Sequence, residues 1–334
     1  MTQTNPMHTN PKAAKPDKKK RRWRRILLRT IAILVGVVAL FFLIVFATDR
    51  IATRVEASKI EPYGQKVSVD GKNMNLLIRG KGPETVVLLP GYGTAVPARD
   101  FEFLLQELEK DYRVIAVEPF GYGLSDETDK ERTTANIVEE IHEAVHQVGA
   151  DRYVLMGHSI AGLYGVDYVQ KYRDEVIAFA GIDTSVPTQG GMDAELPAGF
   201  FGFLKESGLL RLTLKLNGDP YEALGYDKHM SEQIRLITYR VSNNSTLRNE
   251  MTHIAGNFRD AREANAQFPA DLPLILFVNE DDDAQPNWIE LHKEQAAHAE
   301  KSQMLLMHGG HYLHHQNSPE IAAAFKAFMS EIGE

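Results

Sequence analysis

Ser159 stands in the run Gly157-His158-Ser159-Ile160-Ala161-Gly162, directly after the apolar stretch Tyr153-Val154-Leu155-Met156. A β-type run that meets a serine among small residues, with a helix-like segment behind it, is the setting of a nucleophile elbow. A serine hydroxyl attacks a carbonyl only when a base takes its proton and donors hold the oxyanion that forms. The chain must therefore also supply a base, an acid to orient that base, and a donor loop. Candidates stand where other apolar runs end. His311 closes His308-Gly309-Gly310-His311 after the run at 304–307 and is the candidate base. Asn279-Glu280-Asp281-Asp282-Asp283 follows the run at 274–278, and one of its four acids can orient the base while the others are solvated. Pro90-Gly91-Tyr92-Gly93-Thr94 follows the run at 85–89. Its glycines let backbone N–H groups face a ligand, so Tyr92 and Ile160 N–H are the candidate oxyanion donors.

These residues need a sheet whose strand ends converge. Residues 66–69 and 75–78 flank Asp70-Gly71 as a hairpin. Further strands are predicted at 85–89, 113–117, 153–156, 176–182, 274–278 and 304–307, with helices at 101–108, 134–148 and 321–329. Near-continuous apolar strands alternating with helices predict an α/β fold, a mostly parallel central sheet with helices on both faces. Ligands of such sheets bind beyond the carboxyl ends of the strands. The section at about 185–269 breaks the alternation and is too long for a loop. It reads as a helical cap inserted into a body of residues 65–334, with Phe200, Phe201 and Phe203 in the cap interior or, alternatively, in a pocket wall.

With these motifs in place, the chain resembles the α/β-hydrolase superfamily, in its cap-bearing serine esterase branch, over about residues 65–328. The order Ser, acid, His is that family's order. Its acid lies in a Gly-x-x-Asp before a proline. Asn279 stands at the glycine, so the resemblance selects Asp282, with Pro286 in the expected place. Asp183, after the strand at 176–182, is the second candidate, because some relatives carry the acid there. Glu118-Pro119-Phe120-Gly121-Tyr122-Gly123-Leu124-Ser125-Asp126 resembles the family's glycine-rich turn, with Glu118 in place of the commoner aspartate. Ala161 replaces the second glycine of the elbow, and Pro90 replaces a frequent histidine.

The N-terminal part differs in kind. Residues 11–29 carry a net +9 within a chain of net −8, which leaves −17 for the rest. An acidic body argues against a nucleic-acid ligand. Residues 26–47 are apolar apart from Arg29 and Thr30 and would span about 33 Å as a helix, enough to cross a bilayer core. The expected order is a basic cytoplasmic tail (1–25), a transmembrane signal-anchor helix (26–47), a linker (48–64) and an extracytoplasmic body, since positive charge stays inside. The alternative is cleavage near Ala47 and secretion. With no cysteine, the chain offers neither a thiolate nucleophile nor a disulfide.

His142-Glu143-Ala144-Val145-His146 is a literal H-E-x-x-H, a zinc-peptidase pattern, but its helix carries an apolar stripe and leads away from the strand ends. It is read as a helix surface. The resemblance implies hydrolysis of a small-molecule carboxylic ester through Ser159, His311 and Asp282, without cofactor or metal, and the apolar cap near a membrane points toward a lipophilic one. The same residues could cleave an amide or a C–C bond, and a non-catalytic surface protein on this scaffold is the third possibility.

Overall fold

Val86 and Leu88 pack to one face of the sheet and Val87 and Leu89 to the other, and Val154 and Met156 are divided from Leu155 in the same way. Runs that are apolar on both faces make central strands. The computed structural model describes residues 18–333 except 219, 220, 222, 223, 282–284 and 286. Its strands are β1 (Gln65–Val69), β2 (Lys72–Arg79), β3 (Thr85–Leu89), β4 (Arg113–Glu118), β5 (Tyr153–His158), β6 (Val176–Ile182), β7 (Leu274–Asn279) and β8 (Ser302–Met307). They form one sheet in the order β1-β2-β4-β3-β5-β6-β7-β8. β2 runs antiparallel to both β1 and β4, and every other pair is parallel. The hairpin turn at Asp70-Gly71 has both residues at positive φ, as a type I′ hairpin turn requires.

The helices are α1 (Lys18–Ala57), α2 (Pro97–Asp100), α3 (Glu102–Leu108), α4 (Thr134–Gln147), α5 (Ala161–Lys171), α6 (Ala198–Glu206), α7 (Leu209–Asn217), α8 (Lys228–Val241), α9 (Ser245–Glu263), α10 (Trp288–His298), α11 (Leu313–Gln316) and α12 (Ser318–Ile332). Phe101, Leu104 and Leu105 of the α2–α3 region pack with Ile321 and Phe325 of α12 on one face. Ile137 and Ile141 of α4 and Leu163 and Val166 of α5 cover the other. α6 to α9 lie between β6 and β7. Ile234 and Ile237 of α8 pack on Val96 and Leu124 above the strand ends. Asn244 both caps α9, accepting from Leu247 N, and donates to the Gly121 carbonyl, which ties that helix to the glycine-rich turn.

Two expectations are corrected. The first helix does not stop at Ala47 but runs to Ala57, into the segment read as a linker. Asp49, Thr53 and Glu56 recur on one helix face, and all three meet the guanidinium of Arg211 on α7, so this last part is held by α7. The apolar part of α1 is long enough to cross a membrane and is exposed, which makes it a candidate transmembrane helix. The second correction concerns Phe200 and Phe203. They are not cap interior: they are 57% and 52% exposed.

Candidate active site

β5 ends at His158 and α5 begins at Ala161, so Ser159 occupies the turn between them, with φ +56°. A non-glycine residue in that region is uncommon, and the surrounding structure must over-determine it. Three backbone bonds do so. Ser159 N–H donates to the Ile182 carbonyl at 3.3 Å, and the Ser159 carbonyl accepts from Gly162 N at 3.0 Å and Ser185 N at 2.8 Å. The elbow closes because a Cβ at Gly157 would lie 2.9 Å from the Ala161 Cβ. One partner must lack a side chain. Gly157 does, so alanine is accommodated at 161.

His311 meets this serine from the loop after β8. Its Nε2 is 2.9 Å from Ser159 Oγ and its Nδ1 is 2.7 Å from Asp183 Oδ2. Asp183 follows β6 at φ +46° and is fully buried. Its Oδ1 accepts from Trp288 Nε1 at 2.7 Å and from Asn279 N at 3.0 Å. Three donors thus converge on one carboxylate. With Nδ1–H given to Asp183, Nε2 of His311 is left to accept from the serine hydroxyl.

Among the described residues, the carboxylate against the imidazole is therefore Asp183, the second candidate; the preferred Asp282 lies outside the described residues. The sheet order supplies the reason. β6 is the strand next to β5, so its end lies one strand closer to the elbow than the end of β7. Asn279, which closes β7, contributes its N–H to Asp183. Within the acidic run, Glu280 and Asp281 pair with another histidine: His308 Nε2 is 2.7 Å from Glu280 and its Nδ1 is 2.9 Å from Asp281. The sequence reading missed Trp288. An indole N–H buried beside a strand-end aspartate leaves no trace in spacing.

His158 supports the loop of the base. It is buried, and burial, with His314 and His311 adding to it, holds its pKa well below the ordinary value. The neutral ring donates from Nε2 to the His311 carbonyl at 3.0 Å. Glu118 does the same for the glycine-rich turn. Its carboxylate accepts from Leu124 N at 2.8 Å, Asn75 Nδ2 at 2.9 Å and Tyr63 Oη at 2.6 Å. Burial raises its pKa, and these bonds oppose the rise. The carboxylate fills the space over Gly123, where a Cβ would collide with it, so the longer acid fits where aspartate is commoner.

Tyr92, Ser159, Ile160 and His311 line an open cavity of about 730 Å³, with Met192, Leu196 and Ile254 also in its walls. Among the described residues, neither Tyr92 N–H nor Ile160 N–H donates to a protein acceptor. The Tyr92 hydroxyl instead reaches the Leu247 carbonyl on α9 at 3.1 Å. His314 and His315 bond the buried Asp100 at 2.7 and 2.8 Å. The His142 and His146 pair of the H-E-x-x-H pattern meets Glu175, with Nε2 atoms 3.0 and 2.8 Å from its Oε2. These three side chains lie close enough to share an ion, but none lines the Ser159 cavity. Glu143 is exposed and accepts from Gln147.

Known proteins resemble this chain in sequence and in fold. YbdG of Bacillus subtilis (strain 168) is 31% identical over 171 residues, 51% of this chain and 52% of YbdG, so the chain spans about half the length of that relative. Proline iminopeptidase of Thermoplasma volcanium is 27% identical over 231 residues, 62% of this chain and 77% of that enzyme. Among solved structures, a membrane phospholipase A described as a bacterial virulence factor is alike in fold, with a TM-score of 0.57 at 18% identity over 94% of this chain and 99% of its own. Residues 86–324 match the family described as the alpha/beta hydrolase family, and with that match laid over this sheet and elbow the chain belongs to it.

Proposed function

We propose that this hydrolase is a membrane-anchored serine esterase. The unbroken run of hydrogen bonds from Ser159 Oγ through His311 to Asp183 carries the reading. Ser159 Oγ attacks the ester carbonyl while His311 Nε2 takes its proton. The tetrahedral oxyanion is held by Tyr92 and Ile160 N–H. Collapse expels the alcohol, which receives the proton from His311, and leaves Ser159 acylated. Water then attacks with His311 again as base, releasing the acid. Asp183 holds the imidazole in the productive tautomer and balances its charge when protonated. In this reading α1 is the anchor, with the basic end in the cytoplasm and the body outside.

Ser159→Ala is expected to abolish labelling by a fluorophosphonate probe and to lower kcat/KM on p-nitrophenyl esters by about 10⁴–10⁶-fold. Labelling that persists in the variant would remove Ser159 from the role. The likeness to a proline iminopeptidase favours one other bond for the same residues. An aminoacyl nitroanilide separates the two by whether it is cleaved at all: a peptidase cleaves it, an esterase leaves it intact, and turnover of the activated ester is common to both.

The donor loop makes a separate demand. A Cβ on Gly91 would lie 2.8 Å from His158 Nδ1 and 3.0 Å from Ser159 Cβ. Both neighbours are rigid. Gly91→Ala is therefore expected to displace the nucleophile or the donor loop and to lower kcat by about 10²-fold. Circular dichroism should show the fold unchanged. Full activity would mean that the loop relaxes without moving the elbow.

A further inference from the structure

α6 and α7 bury none of their residues, yet they are rich in large apolar side chains. Phe200 and Phe203 are more than half exposed, and Leu216 is 76% exposed. No described segment covers this face. What it adjoins is α1. The rings of Phe203 and Phe42 are 6.2 Å apart, and Gly208 abuts Val45 and Asp49.

Phe42 lies five residues before Ala47, so Phe203 stands level with a point about 7 Å inside the apolar part of α1. The two elements also change character at one level. α1 is apolar to Ala47 and then carries Asp49 and Arg50; α6 is apolar to Leu204 and then carries Lys205 and Glu206. Arg50 and Glu206 pair across this boundary at 2.9 Å. Arg211, bound to Asp49, Thr53 and Glu56, fixes α7 to the first turns beyond it. A common boundary between apolar and charged residues, pinned by ion pairs, is what a shared bilayer surface imposes on neighbouring helices. The apolar side of α6 continues into the active site, because Leu196, two residues before α6, lines the Ser159 cavity.

We infer that the exposed apolar face of α6 is embedded in the bilayer interface at the C-terminal end of the α1 span, and that the Ser159 cavity takes an acyl-chain ester from the membrane past Leu196. This rests on the proposed anchoring by α1 and, for the substrate, on the proposed esterase activity.

The absence of cysteine allows site-directed spin labels on the full chain without background. Phe42→Cys, Phe200→Cys, Phe203→Cys and, as a water-exposed reference, Glu320→Cys are each labelled in vesicles of phosphatidylcholine and phosphatidylglycerol. Labels at 42, 200 and 203 should relax with oxygen and resist a water-soluble nickel chelate, and the label at 320 should do the reverse. Labels at 200 and 203 that follow 320 while 42 stays with oxygen overturn the inference and leave the anchor standing. If 42 also follows 320, the anchor falls and the inference with it. This arm needs no turnover. In the second arm, Phe200→Asp/Phe203→Asp should lower hydrolysis of a long-chain ester in vesicles at least about tenfold and leave p-nitrophenyl acetate hydrolysis in solution unchanged. Unchanged hydrolysis of both substrates overturns delivery from the membrane.

Discussion

Asp183→Asn is expected to lower kcat/KM by about 10³–10⁴-fold, whereas Asp282→Asn leaves it within about threefold. The reason lies in which oxygen is pinned. Asp183 Oδ1 accepts two hydrogen bonds, from Trp288 Nε1 and from Asn279 N. An asparagine at 183 must keep its carbonyl oxygen in that place, since turning the amide over would set NH₂ against two donors in a dry site. Its NH₂ group then faces His311 Nδ1. The imidazole responds by accepting at Nδ1 and carrying its proton on Nε2, 2.9 Å from Ser159 Oγ, so the serine loses its base. Little moves in space, and the loss should appear in kcat rather than KM. Steady-state kinetics on a p-nitrophenyl ester tests both variants. A large loss for Asp282→Asn with a small one for Asp183→Asn would restore the assignment made from sequence.

That assignment shows how far spacing reaches. That Ser159, His311 and Tyr92 meet at one cavity was legible because each follows an apolar run, and a run's end is visible in sequence. The acid was not, because two strands end in a suitable aspartate and a sequence does not say which strand lies beside the elbow. The resemblance weighed toward the position after β7. The pairing of β5 with β6 favours Asp183. Trp288 and the Asn279 N–H, which complete the carboxylate's partners, are contacts between elements and have no local signature. The long first helix failed for a related reason. Residues 48–57 are polar enough to pass for a linker, and only Arg211, about 160 positions later, reveals a helical face that binds. Phe200 and Phe203 were assigned to an interior on composition. Large apolar side chains are interior only where protein covers them, and along α6 it does not.

The cap depends on a second buried charge system, and its loss should be the largest effect on stability away from the site. Arg132 is fully buried, and its Nη1 is 2.6 Å from Glu140 Oε2, on a glutamate equally hidden at the inner face of α4. Its backbone joins α9, with its N–H on Asn249 Oδ1 and its carbonyl on Asn257 Nδ2, both at 3.1 Å. Nearby, Glu250 of α9 accepts from Tyr122 and Tyr164 at 2.9 and 2.7 Å. Burial raises the pKa of both glutamates, and Arg132 is the strongest influence opposing the rise in each. Arg132→Met keeps the bulk and removes the counter-charge, so two carboxylates remain in a dry site without it. A cost of about 3–5 kcal/mol is expected at pH 8. The sign with pH follows from the direction of the shifts. A carboxyl whose folded pKa lies above its unfolded value holds its proton more tightly when folded, so the penalty is full above the folded pKa. It fades as acid protonates the group, and it is gone below the unfolded value. The gap between variant and parent should therefore narrow from pH 8 to pH 5 in equilibrium urea unfolding of the full chain in mild detergent. Adding Glu140→Leu should recover much of the loss at pH 8, because an apolar pair of similar volume replaces a buried ion pair at little cost. A gap that is constant with pH, or a double variant no better than the single one, would mean that the Arg132 side chain acts by packing. Its charge would then be incidental to how the cap is held over Ser159.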